Sequence, residues 1–240
     1  FLGGGSVAIE ITKKYPHIDI WVNDLYEPLY NFWCELQHNG QELQDALLGI
    51  KTIYCNPDAA RCLFTSSKEQ INDSDLSNFD RAVAFYIVNK CSFSGLTESS
   101  SFSAQASESN FSTNGIERLT EYSEIIERWK ITNLSYESML CDDKDTFIYL
   151  DPPYDIKDNL YGRKGEMHKR FDHDKFAHDC DQHTCPMLIS YNSDQIIRDR
   201  FYEWTVGEFA HTYTMRSVGC YNIDQATRKE LVLTNYEMRS

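Results

Sequence analysis

The stretch FIYLDPPYDIK, residues 147–157, joins a short apolar run directly to an acid, two prolines and a tyrosine. Residues 147–150 are all apolar or aromatic, as in a buried strand. Two consecutive prolines lack N–H groups and have a fixed φ, so they end a strand or a helix. We therefore expect a rigid cluster at the mouth of a sheet, formed by the next four residues: Asp151, Pro152, Pro153 and Tyr154. A carboxylate, an exposed carbonyl and an aromatic ring held in this way indicate a functional site rather than a plain turn.

The composition is that of a globular chain. Its 240 residues are 41% hydrophobic, which is enough for one large α/β domain or for one domain with a moderate insertion. No apolar run approaches the ~20 residues of a membrane span. The eight cysteines are scattered, which indicates reduced thiols rather than a disulfide framework. The segment HDCDQHTC, residues 178–185, lacks the ligand spacing of a zinc knuckle, so we predict no metal site.

Strand and helix patterns alternate at both ends of the chain. The hydrophobic spacing predicts strands over residues 17–24, 130–136, 147–150, 186–192, 204–209, 211–216 and 230–236. It predicts helices over residues 7–15, 27–37, 41–50, 79–90, 115–129, 173–183 and 194–202. This alternation indicates an α/β fold with a doubly wound, mostly parallel sheet. The last two strands would form an antiparallel hairpin around Gly219.

The middle of the chain, residues 54–114, does not alternate, which indicates an insertion between two halves of the sheet. It has one predicted helix and a serine-rich segment, residues 99–112. So polar a segment buries little apolar surface, and we expect it to be mobile or to fold on contact with a partner.

A glycine-rich turn and an acid indicate a nucleotide-like cofactor. The turn FLGGGS, residues 1–6, precedes a predicted helix, so that a ligand can approach its backbone and the helix N-terminus. Asp24 ends the next predicted strand, where an acid can bind the two hydroxyls of a ribose. The spacing is not GxGxxG, which disfavours a nicotinamide dehydrogenase and favours an adenosine-type cofactor without a pyrophosphate. Because sites in open parallel sheets lie at the carboxyl ends of strands, these residues and the DPPY segment can share one crevice.

Taken in order, FLGGGS, WVNDLY and DPPY resemble the Dam-type DNA adenine-N6 methyltransferases, which use S-adenosylmethionine. Four further segments are similar to parts of that family: YIVNKCSFSGL, LSYESML, LISYN and KELVLTNY. The resemblance implies a Rossmann-like S-adenosylmethionine-dependent methyltransferase sheet with a terminal antiparallel hairpin and an inserted target-recognition subdomain. The catalytic core would comprise residues 1–53 and 115–240, and the DNA target-recognition subdomain residues 54–114.

The DPPY residues suit the methylation of an exocyclic amine. The lone pair of adenine N6 is delocalised into the ring, so this amine is a poor nucleophile. Asp151 and the Pro152 carbonyl can accept its two hydrogens, while Tyr154 stacks on a base that has been flipped out of the duplex. Such a site needs neither a metal nor a covalent intermediate, because positioning and electrostatics provide the catalysis.

The resemblance also implies ligand-binding residues. The pocket for S-adenosylmethionine would be lined by Phe1, Gly3, Gly5, Ser6, Asp24, Tyr136 and Asp151. Double-stranded DNA would be contacted by Asn89, Lys90, Phe93, Arg163, Lys164, Lys169 and Arg170. Alternatives stay open for some of them: the aromatic residues could belong to the core, the glycines could serve only the turn, and residues 89–93 could simply cap and pack their helix.

The charge distribution is acidic overall and basic beside the DPPY segment. A net charge of −14 is unfavourable for a nucleic-acid-binding protein, because phosphates attract positive charge. Residues 161–170, however, carry four basic side chains against one acidic side chain, a formal charge of +3 (4 − 1). This segment favours DNA as the partner, although a solvated loop could have the same composition.

Other functions fit part of the sequence. Methylation of cytosine N4 is the nearest alternative, because Asp151 and Pro152 would hold either amine. The substrate could also be RNA or a protein amide, or the chain could be a DNA-binding relative without catalysis. We expect a cytoplasmic enzyme of a bacterial or phage-infected cell, with no membrane partner and a monomer as the favoured state. Because the chain starts inside the FLGGGS element, we also expect an incomplete cofactor pocket and weak or absent cofactor binding.

Overall fold

A computed structural model describes residues 1–93, 100–154, 171–210 and 229–237. These residues form helices and small sheets in two compact units, which confirms the mixed α/β class. The helical unit comprises residues 2–93 and 100–135, and the sheet unit comprises Phe1 with residues 136–154, 171–210 and 229–237. Within these described residues, every helix falls short of the length and hydropathy needed to cross a membrane.

The helical unit is built around a core of aromatic and aliphatic side chains. Its described elements are α1 (Ser6–Lys14), β1 (Trp21–Asn23), α2 (Glu27–His38), α3 (Gly40–Ile53), α4 (Pro57–Gln70), α5 (Asn78–Cys91), α6 (Ala104–Ser109), α7 (Thr113–Glu117), α8 (Leu119–Ile126) and β2 (Lys130–Thr132). Strands β1 and β2 are parallel, with Val22 opposite Ile131. Helices α2 and α5 meet in the core, where the ring centroid of Phe32 lies 5.5 Å from that of Phe85. The predicted helices α1, α2, α3 and α5 are confirmed.

Helix α4 shows that residues 54–114 contain more helix than predicted. Its composition is polar, but the Asn56 side chain accepts an N-cap hydrogen bond from the Ala59 N–H, and Pro57 begins the helix. Leu63 and Phe64 bury one face of the helix in the core. The prediction of a single helix in this region is therefore wrong, because capping and tertiary burial outweigh the weak helical pattern.

The serine-rich segment is also partly helical. Ser103 accepts a hydrogen bond from the Ala106 N–H and so caps α6, while Ala106 and Ser107 are buried. The expectation that this segment is mobile or folds only on contact with a partner did not foresee α6, which forms within the chain. The predicted helix over residues 115–129 is likewise two helices, α7 and α8, separated at Arg118.

The sheet unit contains a four-stranded mixed sheet. Its described elements are a 3₁₀-helix (Tyr136–Met139), β3 (Ile148–Leu150), α9 (His173–Asp181), β4 (Met187–Asn192), α10 (Gln195–Arg200), β5 (Thr205–Ala210) and β6 (Lys229–Thr234). The strand order is β3-β4-β6-β5. Strand β3 runs parallel to β4, with Leu150 opposite Ile189, and β6 is antiparallel to both β4 and β5.

The two faces of this sheet differ. On one face lie the buried side chains of Leu150, Ile189 and Tyr191, which belong to the same core as Phe176 of α9 and Phe201 of α10. Because successive side chains of a strand point to opposite faces, the neighbouring residues lie on the other face. That face presents the polar groups of the DPPY region.

Some predicted elements cannot be compared with the structure. The predicted strand over residues 211–216 and its hairpin around Gly219 lie outside the described residues, as does the basic segment over residues 161–170. The strands predicted over residues 204–209 and 230–236 are confirmed as β5 and β6.

Candidate active site

The DPPY segment begins where strand β3 ends. Leu150 is the last residue of β3, and Asp151 follows it beside β4. Pro152 is buried and has no N–H to donate to a neighbouring strand, so the ladder stops at this point. The sequence prediction of an acid held at the end of a buried strand agrees with this arrangement.

A chain of hydrogen bonds holds the Asp151 carboxylate. The Ser190 hydroxyl donates to Asp151 Oδ1 at 2.9 Å, and the Tyr149 hydroxyl lies 3.0 Å from Ser190 Oγ. Tyr149 of β3 and Asp151, which follows the strand, are two residues apart and point to the same sheet face, and Ser190 lies beside them on β4. Tyr149, Ser190 and Asp151 form what we call the carboxylate relay.

The surroundings raise the pKa of Asp151 above its ordinary value. Desolvation of the carboxyl group is the main cause, the hydrogen bond from Ser190 opposes it, and the carboxylate of Glu230 adds to it. The residue as a whole still presents surface to solvent, so a desolvated acceptor remains within reach of a ligand. This combination is typical of functional carboxylates.

Tyr154 is held by an aromatic neighbour and by an acid. Its ring is stacked on the buried ring of Tyr191, with centroids 6.2 Å apart and an interplanar angle of 30°. Its hydroxyl donates to Glu230 Oε1 at 3.1 Å. Tyr191 is fixed in turn by a hydrogen bond between its hydroxyl and Nδ1 of His173. The orientation of the Tyr154 ring is therefore fixed by its contacts with Tyr191 of β4 and Glu230 of β6.

Phe1 and Tyr136 lie together in an aromatic cluster of the sheet unit. Their rings are stacked with centroids 6.0 Å apart, and Phe171 and Phe176 contact both of them. The Tyr136 hydroxyl donates to Asp179 Oδ2 at 2.7 Å. Burial, followed by this hydrogen bond, raises the pKa of Tyr136. The stacking brings these two aromatic residues together, while their predicted role in a cofactor pocket stays a prediction.

The glycine turn of the helical unit is organised by Asp24. Its Oδ2 accepts the N–H groups of Leu2 and Gly3 at 2.9 and 3.0 Å, and its Oδ1 accepts the N–H of Tyr26 at 3.0 Å. Gly3 and Gly5 have positive φ values of 54° and 68°, and Ser6 begins α1 directly after them. Asp24 therefore has a structural role that the sequence did not predict.

The candidate DNA-binding residues at the end of α5 differ in their environments. Lys90 is half-buried with its Nζ 5.5 Å from the centre of the Tyr86 ring, and desolvation lowers the pKa of Lys90. Phe93, by contrast, is exposed. Asn89 belongs to the last turn of the same helix. Arg163, Lys164, Lys169 and Arg170 lie outside the described residues.

Sequence reasoning missed three members of this site: Tyr149, Ser190 and Glu230. Ser190 is 39 positions from Asp151 along the chain, and the two meet only because β4 pairs with β3 in this register. The sequence signal that could have identified Ser190 is a serine that directly follows the apolar residues MLI of β4. Within the described residues, we find no cluster of three or more histidine, cysteine, aspartate or glutamate side chains suited to a metal ion.

Comparison with known protein families identifies the family of the chain. The family model for D12 class N6 adenine-specific DNA methyltransferases matches residues 1–216, which include the glycine turn, Asp24 and the DPPY segment. No match to the chain is found among curated proteins. The family match confirms the resemblance to Dam-type enzymes, and it covers well over half of the chain. The chain therefore belongs to the D12 class N6 adenine-specific DNA methyltransferase family.

Proposed function

We propose that the chain transfers a methyl group from S-adenosylmethionine to N6 of adenine in duplex DNA, after flipping the adenine out of the helix. Family membership supports DNA and adenine as the target. The observation that carries the proposal is the Asp151 carboxylate, held at the end of β3 by Ser190 and followed directly by Pro152. This is an acceptor pair suited to one amino group.

Asp151 and Pro152 would act on the nucleophile by orienting it. Each would accept one hydrogen of the exocyclic amine, so that the nitrogen lone pair turns out of conjugation with the ring. A carboxylate in a desolvated site accepts such a hydrogen bond more strongly than it would in water. The two acceptors therefore raise nucleophilicity through position and charge, with Pro153 keeping the segment rigid.

Tyr154 would provide the surface for the extruded base. A flipped base loses its stacking neighbours in the duplex, and an aromatic ring replaces part of that interaction. The contacts of Tyr154 with Tyr191 and Glu230 limit the motion of this ring before a base arrives. Less conformational freedom is then lost on binding.

The residues present fit S-adenosylmethionine. Gly3 and Gly4 have open space where a side chain would begin, so a ligand can approach the backbone of the turn. Among the described residues, only the N–H of Tyr26 donates to Asp24 Oδ1, which leaves this oxygen capacity for a hydroxyl group. The residues that would hold the cofactor are Phe1, Gly3, Gly5, Ser6, Asp24, Tyr136 and Asp151. When bound, the cofactor supplies an electrophilic methyl group on a sulfonium sulfur.

We assign DNA recognition to residues 54–114, between the core segments 1–53 and 115–240. Asn89, Lys90 and Phe93 would face DNA from this region, and the basic residues between 161 and 170 would contact phosphates. The exposure of Phe93 and the absence of a carboxylate paired with Lys90 among the described residues support this assignment. A lysine that a phosphate neutralises would recover part of its desolvation cost on binding.

The test is transfer of labelled methyl groups from S-adenosylmethionine to unmethylated duplex DNA and, separately, to RNA. Asp151→Asn keeps the shape of the side chain and removes its charge, so we expect a rate lower by about 10²-fold or more. Asp199→Asn on the exposed side of α10 is the matched control and should leave the rate unchanged.

The outcomes separate the candidate functions. Transfer to duplex DNA that depends on Asp151 supports the proposal. Transfer only to RNA would contradict the substrate, and equal rates for Asp151→Asn and the parent chain would contradict the role of the carboxylate. DNA binding without any transfer would contradict the proposal and indicate a non-catalytic relative.

A further inference from the structure

The hydrogen bonds of the carboxylate relay have a fixed direction when Asp151 is ionised. A serine hydroxyl has one hydrogen, and Ser190 uses it to donate to Asp151 Oδ1. The contact between Tyr149 and Ser190 must then be a hydrogen bond from the tyrosine hydroxyl to the serine oxygen. The relay therefore runs from Tyr149 to Ser190 to the carboxylate, with each oxygen polarising the next.

The relay is attached to the rigid part of the sheet unit. Ser190 is 8% exposed and lies in the middle of β4, between the paired strands β3 and β6. Tyr149 is part of β3 itself. Asp151, in contrast, lies one residue beyond the last pair of the β3 ladder, where the backbone no longer restrains it through that pairing.

We propose that Ser190 is the positioning residue of this site: it holds Asp151 Oδ1, with Tyr149 behind it, so that Oδ2 is left to accept a hydrogen of the target amine. Among the described residues, Asp151 Oδ2 has no hydrogen-bond donor. The inference rests on the proposed function, and it assigns a role to two residues outside the DPPY segment. Ser190 acts through Asp151 and need not touch the substrate.

The Ser190 hydroxyl also favours the ionised form of the Asp151 carboxyl group. Among the described residues, the groups that face it are the Ser190 hydroxyl from β4 and the Glu230 carboxylate from β6. Burial and Glu230 favour the protonated acid, whereas the hydrogen bond from Ser190 favours the carboxylate. Removing the Ser190 hydroxyl should therefore raise the pKa of Asp151, and the acidic limb of the rate profile should move to higher pH.

The experiment compares the parent chain with Ser190→Ala, Ser190→Thr and Tyr149→Phe. We expect Ser190→Ala to lower kcat about tenfold, the size of one hydrogen bond to a charged group, with KM for DNA little changed. Ser190→Thr keeps the hydroxyl and should restore most of the rate, since a β-branched residue also suits a strand. Tyr149→Phe removes only the outer hydroxyl and should give a smaller loss in the same direction. Ser193→Ala, at an exposed serine just beyond β4, is the control.

A second readout does not depend on activity. In protein labelled with ¹³C at the aspartate carboxyl, the resonance absent from Asp151→Asn identifies Asp151, and its shift against pH gives its pKa. A higher pKa in Ser190→Ala, with Ser190→Thr close to the parent chain, would support the inference. The same pKa and the same kcat in Ser190→Ala as in the parent chain would overturn it. If the parent chain transfers no methyl group, the proposed function fails, and the carboxyl resonance still decides whether Ser190 controls Asp151.

Discussion

The three consecutive glycines of the turn should respond differently to alanine. Gly4 has no positive φ, and an added Cβ would have no atom of the described residues within 4 Å. Gly3 has the same open space but a φ of 54°, and Gly5 combines a φ of 68° with a Cβ position 2.8 Å from the indole of Trp33. Trp33 is 5% exposed in the core and its Nε1 donates to the Gly3 carbonyl, so it cannot move freely.

These differences set the expected free energies of unfolding. Gly4→Ala should be neutral or stabilising by about 0.5 kcal/mol, because alanine restricts the unfolded chain. Gly3→Ala should lower the free energy of unfolding by about 1 kcal/mol, the usual cost of a left-handed conformation for a residue with a Cβ. Gly5→Ala adds overpacking against Trp33, which brings its total cost to about 2–4 kcal/mol.

Urea unfolding followed by tryptophan fluorescence measures the three variants under the same conditions. The order of stability should be Gly4→Ala, then Gly3→Ala, then Gly5→Ala. Equal midpoints for all three, or a Gly5→Ala variant as stable as Gly4→Ala, would refute this description of the turn. A loss of cofactor binding in Gly4→Ala with unchanged stability would instead indicate direct contact at that residue.

Three further predictions concern charged groups. Lys90→Gln should reduce the slope of log K for DNA binding against log salt concentration by about 0.9. Lys144→Gln, at an exposed lysine, should leave that slope unchanged. The same slope for Lys90→Gln as for the parent chain would contradict a phosphate contact at Lys90. Because folding raises the pKa of Asp151, ionisation of this group destabilises the folded protein as pH rises from the ordinary pKa of an aspartate to the raised pKa. Asp151→Asn should therefore raise the thermal midpoint of unfolding at neutral pH and leave it unchanged below the ordinary pKa. A lower midpoint for Asp151→Asn at neutral pH would contradict this prediction. Glu230→Gln removes a like charge and keeps an acceptor for the Tyr154 hydroxyl, so the acidic limb of kcat/KM should move to lower pH, and a shift to higher pH would be inconsistent with the geometry.

Local sequence patterns predicted the elements whose stability is mainly local or strongly periodic. Helix α5 is an apolar run with Ser77 as its N-cap, and it lies within one residue of its predicted bounds at each end. Helices α4 and α6 were missed because their composition is polar, and because their caps and their few buried side chains act only in the folded core. The break between α7 and α8 was missed for the same reason, because no local sequence pattern marks it.

The part of the candidate site that lies within one continuous segment, Asp151 to Tyr154, was predictable from the sequence. Asp151 and its neighbours could be identified because two prolines after an apolar run end a buried strand. Ser190 and Glu230 could not, because they reach Asp151 through the pairing of β3, β4 and β6, which no local pattern fixes. Asp24 was found as a polar residue at a strand end, but its three backbone hydrogen bonds depend on how the glycine turn folds over it.

The most direct test of the central claim is the identity of the methylated nucleoside. Unmethylated duplex DNA is incubated with S-adenosylmethionine and either the parent chain or Asp151→Ala. The DNA is then digested to nucleosides, which are separated and identified by mass spectrometry. We predict N6-methyladenine with the parent chain and none above background with Asp151→Ala. N4-methylcytosine as the product, or N6-methyladenine in equal amounts from both proteins, would contradict the account.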